Sequence, residues 1–271
     1  MYETKYHRPK TLAEAAELYS SLDEPAYLSG GHTLIPAMKG RLAAPANLID
    51  IRQIPELSGI RVEAGRMIIG SATTHATVAA SKEIADAIPA LSALAGSIAD
   101  VQVRHVGTIG GSTANNDPAA DYPSAVLSLD ATVHTDRRAI PSDEYFAGLY
   151  TTALEEGEIL TRLEFKVPMV AGYAKFRNPA SRYALAAAFV SKHRDCSVRV
   201  AITGAGNSGV FRWTEAEEAL MEDLVPEAVQ GLMPDPADMM SDMHASAEYR
   251  AHLVAVITRR AVENLGGALI I

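Results

Sequence analysis

Two glycine-rich stretches concentrate the groups that can hold an anion. The first, Ser29-Gly30-Gly31-His32-Thr33-Leu34, follows the apolar run Ala26-Tyr27-Leu28. The second, Gly107-Thr108-Ile109-Gly110-Gly111-Ser112, runs on through Asn115 and Asn116 to Asp117 and Pro118. Backbone N–H groups at a turn can form a nest for an anion, and a residue without Cβ lets a phosphate approach closely. Both stretches also carry hydroxyls. A pyrophosphate held between two separated loops would use them together. Two tight turns without a ligand is the plainer account of either one alone.

Charged residues add to this pattern. Asp117 and Asp121 would repel a pyrophosphate, but they can accept hydrogen bonds from ribose or ribityl hydroxyls or from a ring N–H. Asp121 also reads as a helix N-cap, with Pro123 in the first turn. On an alternating strand Tyr173, Lys175 and Arg177 share one face, either a solvated edge or a cation set beside an electron-rich ring. Met233, Met239, Met240 and Met243 make either an adaptable contact surface or a loop.

Other chemistry is absent. Gly204-Ala205-Gly206-Asn207-Ser208-Gly209 fits a dinucleotide fingerprint, but the bulky, extended Val210-Phe211-Arg212-Trp213 follows it where a helix should start. We read it as a hairpin turn. Ser208 lacks the final glycine of a nucleophile elbow, and no lysine completes a phosphate loop. The histidines show no metal-ligand spacing. Cys196, the only cysteine, has Asp195 beside it and is expected to be an inert thiol.

These residues need a scaffold. The 271 residues allow two domains, and 48% hydrophobic content fits a globular protein. The formal charge of −9 argues against nucleic acid and against a polybasic membrane patch. No apolar run approaches the ~20 residues of a membrane span. The N-terminal MYETKYHRPK lacks the apolar core of a signal peptide, so a cytoplasmic location is expected. Thr11 and Glu14 form a capping box that opens a helix to about Ser21. Strands are expected at Tyr27-Leu28 and 48–51, a hairpin at 61–69 around Ala64-Gly65, and helices at 74–80 and 89–99. A helix from Asp121 to about Leu129 and strands at 131–134 and 159–167 follow, and Pro168 marks a domain boundary. Beyond it strands near 174–176, 186–190 and 198–202 precede helices. One of these is opened by a second capping box, Thr214 and Glu217. The last carries Leu253, Ile257, Ala261 and Leu265, with Gly266 as C-cap. Residues 231–246 read as loop.

Together these segments resemble the FAD-binding medium subunits of molybdenum hydroxylases, among them carbon monoxide dehydrogenase, nicotine and quinoline oxidoreductases and the flavin domain of xanthine dehydrogenase. The likeness rests on SGGHTLIPAMKGRL at 29–42, VRHVGTIGGS at 103–112, DPAAD at 117–121, GEIL at 157–160, KFRNPASRYA at 175–184 and HASAEYRAHL at 244–253. It implies an α+β fold. A two-lobed FAD module of the vanillyl-alcohol oxidase (PCMH) type would occupy 1–168, with a small lobe over 1–52 and a larger one over 53–168. A small α+β domain with a three-stranded antiparallel sheet and helices would fill 169–271.

The resemblance also implies residue roles. Residues Tyr27, Leu28, Ser29, Gly30, Gly31, His32, Thr33 and Leu34 would wrap the FAD pyrophosphate, together with Gly107, Thr108, Ile109, Gly110, Gly111 and Ser112. Asn115, Asp117 and Asp121 would bond polar groups of the cofactor, and Ile98 would lie against it. Ile159 and Leu160 would line the adenine or ring pocket, Lys175 would approach the isoalloxazine ring, and Tyr183 would cover one face of it. FAD would be held non-covalently, with His32 a loop residue beside it. A large molybdopterin-binding partner would carry the molybdenum cofactor and transform the substrate. A small partner with [2Fe–2S] clusters would relay electrons to this chain, which would pass them to an external acceptor; a dimer of heterotrimers is the implied assembly. With Lys175 beside the ring, its replacement by alanine would slow electron exit more than it lowered FAD content. A stand-alone flavin oxidase or reductase and a flavin-free structural subunit are the competing classes. The first would need its own acid–base site, and the second would not need both glycine loops.

Overall fold

The computed structural model describes all of residues 1–271. The chain begins with a small parallel sheet. β1 (Lys5–His7), α1 (Leu12–Ser21), β2 (Pro25–Leu28), α2 (Leu34–Lys39) and β3 (Asn47–Asp50) build three strands in the order β1-β3-β2. Thr11 caps α1 by accepting from the Glu14 N–H, and Glu14 reaches back to the N–H of Lys10. Ala15 buries the apolar face of that helix against Ile49 and Ile54.

The larger lobe is a five-stranded antiparallel sheet with helices packed on it. Its strands are β4 (Ile60–Glu63), β5 (Arg66–Gly70), β6 (Thr132–Thr135), β7 (Ala139–Pro141) and, further along the chain, β10 (Leu160–Lys166), in the order β4-β5-β10-β6-β7. Between β5 and β6 run α3 (His75–Ala80), α4 (Lys82–Ala87), α5 (Pro89–Ser97), α6 (Val101–Val106), α7 (Ile109–Asn115) and α8 (Tyr122–Ser128). A short α9 (Ser142–Tyr145) and the two-stranded β8 (Phe146–Gly148) and β9 (Thr151–Thr152) precede β10.

The C-terminal part is built on the long antiparallel strands β11 (Val170–Arg177), β12 (Ala184–Lys192) and β13 (Val198–Thr203). Two short strands widen the expected three-stranded sheet to five. β14 (Phe211–Arg212) pairs with β13, and β15 (Ala268–Ile270), from the end of the chain, runs parallel to β11. The glycine-rich turn at 204–209 links β13 to its antiparallel neighbour β14, as a hairpin should. α10 (Thr214–Glu222) and α11 (Ala247–Glu263) complete this part.

Some helix ends differ from expectation. Trp213, not Thr214, occupies the N-cap of α10, because Glu217 is drawn away to the Val200 N–H and the Arg212 guanidinium. α11 closes at Asn264, and Gly266 takes its positive φ beyond the helix. In the 231–246 segment Met239 is buried in the C-terminal core, whereas Met243 is exposed. The largest core cluster is continuous across Pro168, joining Tyr122, Leu163 and Phe165 to Tyr173, Ala187 and Phe189.

Candidate cofactor site

A cleft of about 530 Å³ lies where the small sheet, the helical face of the larger lobe and a loop of the C-terminal part meet. That volume is in the range of ligand pockets. Its walls include Tyr27, Leu28, Ser29, Gly30, Gly31, His32, Thr33 and Leu34 from the end of β2 and the turn into α2. Facing them are Gly107, Thr108, Gly110, Gly111, Ser112 and Asn115 at the start of and along α7, and Ile98, Asp117, Asp121, Ile159, Leu160 and Tyr183. Residues spread over most of the chain are thus brought to one cavity.

The first loop leaves its amides unpaired. No backbone N–H of Gly30, Gly31, His32 or Thr33 donates a hydrogen bond within the chain. Gly30 and Gly31 are half-buried and His32 and Thr33 exposed; half-buried backbone donors are almost always paired, so the first two in particular offer themselves to an acceptor from outside the chain. Gly31 makes the turn possible with φ +72°.

The second loop works differently from expectation. Thr108 to Ser112 is a helix start rather than an open turn. The Ile109 and Gly110 N–H groups donate to Thr73 O and Ser71 O, and those of Gly111 and Ser112 donate to the Thr108 side chain and carbonyl. The donors expected for an anion at 109–112 are therefore spent on the fold. The glycines there serve close packing: a Cβ on Gly110 would lie 2.4 Å from the Ser71 side chain and 2.6 Å from its carbonyl. The same holds for Gly30, where a Cβ would lie 2.6 Å from the Gly107 Cα, so the two loops touch backbone to backbone. Ser29 Oγ and Thr108 Oγ1, 2.7 Å apart, lock them together.

Two expected site residues stand outside the cavity. Ile109 is fully buried in the main core. Lys175 is 1% exposed, and its ammonium lies 2.8 Å from Asp121 Oδ1, behind the wall that Asp121 forms. The solvated-edge account of Lys175 fails as well, because β11 is covered on this face. Asp121 sits at the N-cap position of α8 but makes no capping bond; its carboxylate accepts from the Tyr173 hydroxyl and from Lys175 instead. Asp117 accepts from the Ala119 N–H and receives the Tyr150 hydroxyl at 3.4 Å.

Other wall residues were not singled out from the sequence, although Val103, Glu158 and Arg182 lie within the stretches that carry the resemblance. Ser71, His75, Ala99, Val103, Leu154, Glu158 and Arg182 all line the cleft. Arg182 donates to the Ala99 carbonyl at 3.2 Å, which joins the C-terminal loop to the larger lobe. Burial, and then the carboxylates of Asp117 and Asp121, push the Tyr183 phenol up, so it stays a neutral hydroxyl. The Arg138 guanidinium, assisted by the Glu155 N–H and Thr135 and opposed by burial, holds Glu158 down at about 2. Burial, and then the neighbouring His32 and Arg104, push His75 down to about 4. His75 directly follows its N-cap, Thr74, which is legible as a helix start, but nothing in the local pattern marks it for the cleft.

Known families match both halves of the chain. Residues 2–169 match the family of the FAD binding domain in molybdopterin dehydrogenase, and residues 172–265 match the CO dehydrogenase flavoprotein C-terminal domain. The carbon monoxide dehydrogenase medium chain of Afipia carboxidovorans is 38% identical, over 95% of each chain. The nicotine 6-hydroxylase medium subunit of Paenarthrobacter nicotinovorans is 33% identical over 97% of each. A chain of the crystal structure of the cyanide-inactivated Cu,Mo-CO dehydrogenase superposes with a TM-score of 0.87 at 35% identity, covering 97% of this chain and 98% of that one. The fold is that of a flavin-carrying component of molybdenum enzymes. The chain belongs to the molybdopterin dehydrogenase FAD-binding family, of the medium-subunit form.

Proposed function

We propose that this chain is the FAD-carrying subunit of a heterotrimeric molybdenum hydroxylase. In this reading it takes electrons from the [2Fe–2S] clusters of a small partner and passes them to an external acceptor, while substrate is oxidised at the molybdenum cofactor of a large partner. One observation carries it: residues 30–33, whose N–H groups are unpaired within the chain, line a cleft whose walls also include Leu154, Ile159, Ile98 and Tyr183. FAD, when bound there, supplies two-electron redox chemistry, and the protein supplies binding, orientation and electrostatics. The first loop would hold the pyrophosphate. Asp117 and the Tyr183 hydroxyl offer hydrogen bonds to polar cofactor groups, while Ile98, Ala99 and Val103 exclude water at one end and Leu154, Ile159 and Leu160 at the other. The 30% or greater identity to medium chains of several such enzymes supports the partners, and a dimer of heterotrimers is the assembly we expect.

The test is a visible absorption spectrum of the chain, tagged and purified natively with whatever accompanies it. Flavin bands with broad iron–sulfur absorption are expected, because one cysteine cannot build those clusters. Flavin bands alone, with turnover of a substrate by the isolated chain, would establish a free-standing flavoenzyme. A colourless complex that retains its partners would establish a structural subunit.

A further inference from the structure

The loop between α7 and α8 carries Asp117 and Asp121 into the cleft wall, and the fold grips it from both sides. Asn116, which ends α7, is 1% exposed and takes a positive φ of +45°. Its side-chain amide donates to the Gly148 carbonyl at 2.8 Å and to the Thr151 carbonyl at 2.9 Å. Its own carbonyl accepts the Tyr150 N–H at 3.2 Å. These bonds clasp the turn between β8 and β9. On the other side the Gly204 N–H donates to the Pro118 carbonyl, and the Thr203 hydroxyl is shared between the carbonyls of Pro118 and Ala120.

The clasp brings one side chain of that turn to the cleft. The Tyr150 hydroxyl stands 3.4 Å from Asp117 Oδ2, while Asp117 Oδ1 accepts the Ala119 N–H. Tyr150 is 60% exposed, so it adds little to the core, and the bond to Asp117 accounts for its place. Three carboxylates stand in the cleft wall, those of Asp117, Asp121 and Glu158. Lys175 neutralises Asp121, and Arg138 neutralises Glu158. Glu158 accepts further bonds from Thr135 and the Glu155 N–H. Asp117 pairs with no cation; its bonds within the chain come from an amide and a phenol. A carboxylate has room for about four hydrogen bonds. Asp117 is therefore left able to accept a donor from the cleft, with its direction already set.

We propose that Asn116 and Tyr150 are positioning residues for the cofactor: the clasp holds the Tyr150 hydroxyl on Asp117, which fixes that carboxylate to accept a hydroxyl or ring N–H of the flavin nucleotide. This rests on the FAD reading above. Neither residue lines the cleft, and both act through Asp117. A carboxylate left free to turn would have to be ordered by the ligand, at a cost in affinity. Asparagine suits the clasp because it tolerates a left-handed backbone and offers two amide hydrogens to two carbonyls.

The experiment titrates FAD into the partner-containing complex stripped of its flavin, with the change in flavin fluorescence reading the affinity. Tyr150→Phe removes the hydroxyl and keeps the ring. Asn116→Gly releases the turn while suiting the positive φ. Each should weaken FAD binding roughly fivefold, the scale of one hydrogen bond. Tyr150→Phe should do so at an unchanged melting temperature. Asp117→Ala should weaken binding at least as much, and in that background Tyr150→Phe should have no further effect, because the two changes break one chain of contacts. Equal losses from Tyr150→Phe with and without Asp117 would mean that the turn acts through the fold alone, and would overturn the proposal. Unchanged affinity in Tyr150→Phe also overturns it while leaving the flavin reading intact, and that variant decides the matter if Asn116→Gly does not fold. An absence of FAD binding by the parent complex overturns the flavin reading, and the proposal with it.

Discussion

The buried ammonium of Lys175 and the carboxylate of Asp121 tie β11 to the start of α8, and the Tyr173 hydroxyl completes the carboxylate's bonding. Removing one partner of such a pair leaves a buried charge uncompensated, at a cost of roughly 3–5 kcal/mol. Lys175→Met should therefore lower the melting temperature and the FAD content together, since Asp121 is part of the cleft wall. The double replacement Asp121→Asn with Lys175→Met should recover most of the stability. A direct role of Lys175 beside the flavin ring makes the opposite forecast: slower electron exit at unchanged stability and flavin content. Thermal denaturation and the flavin-to-protein absorbance ratio, measured on the same samples, separate the two.

At the level of elements, the cleft depends on two loops that touch. A methyl group at Gly30 meets the Gly107 Cα, the Val106 carbonyl and the Thr108 nitrogen, all backbone atoms that cannot swing aside. Gly30→Ala should force the loops apart and weaken FAD binding by at least about tenfold, a loss of 1.4 kcal/mol or more. Gly40→Ala, where the nearest atom is 3.5 Å away, should leave it unchanged. Equal affinity in both variants would remove the loop contact from the account of the site. The sequence showed where the glycines cluster but not what each one does. The pair Gly110-Gly111 reads as a turn because glycine is a poor helix former. Here the Thr108 cap and bonds from Ile109 and Gly110 to Thr73 and Ser71 make it a helix, a tertiary arrangement that no local pattern carries. Likewise, the alternation that puts Tyr173 and Lys175 on one face was legible, whereas the partner waiting at Asp121 was not. The hairpin at 204–209 was legible because the bulky residues after it contradict a helix locally.

The two halves of the molecule are joined by more than the shared core. Asp130, after α8, accepts from Lys166 and from Arg199 of β13, and Arg199 also pairs with Asp143. Burial alone would raise Asp130, but Lys166 and Arg199 outweigh it and hold the carboxyl below its ordinary value. With Glu158 at about 2, the carboxylates contribute stability above the pKa of about 4 that they have in the unfolded chain, and that stability is lost as the pH falls further. His75 has the opposite consequence in a different window. Its folded value of about 4 lies below the ordinary 6.5 because burial, and then His32 and Arg104, disfavour the charge. Between those two values the unfolded chain binds a proton that the folded chain refuses, so stability rises with pH there. The flavin-free protein should therefore lose stability in two stages on acidification, first from about pH 6.5 to 4 and then below 4.5 as the carboxylates titrate. His75→Gln should shrink the first stage and leave the second, the remainder of the first coming from His134 and His193, which burial also pushes down, with denaturant midpoints across that range as the readout. A wild-type midpoint that stays level from pH 6.5 to 4.5 would mean that His75 is protonated freely in the folded protein.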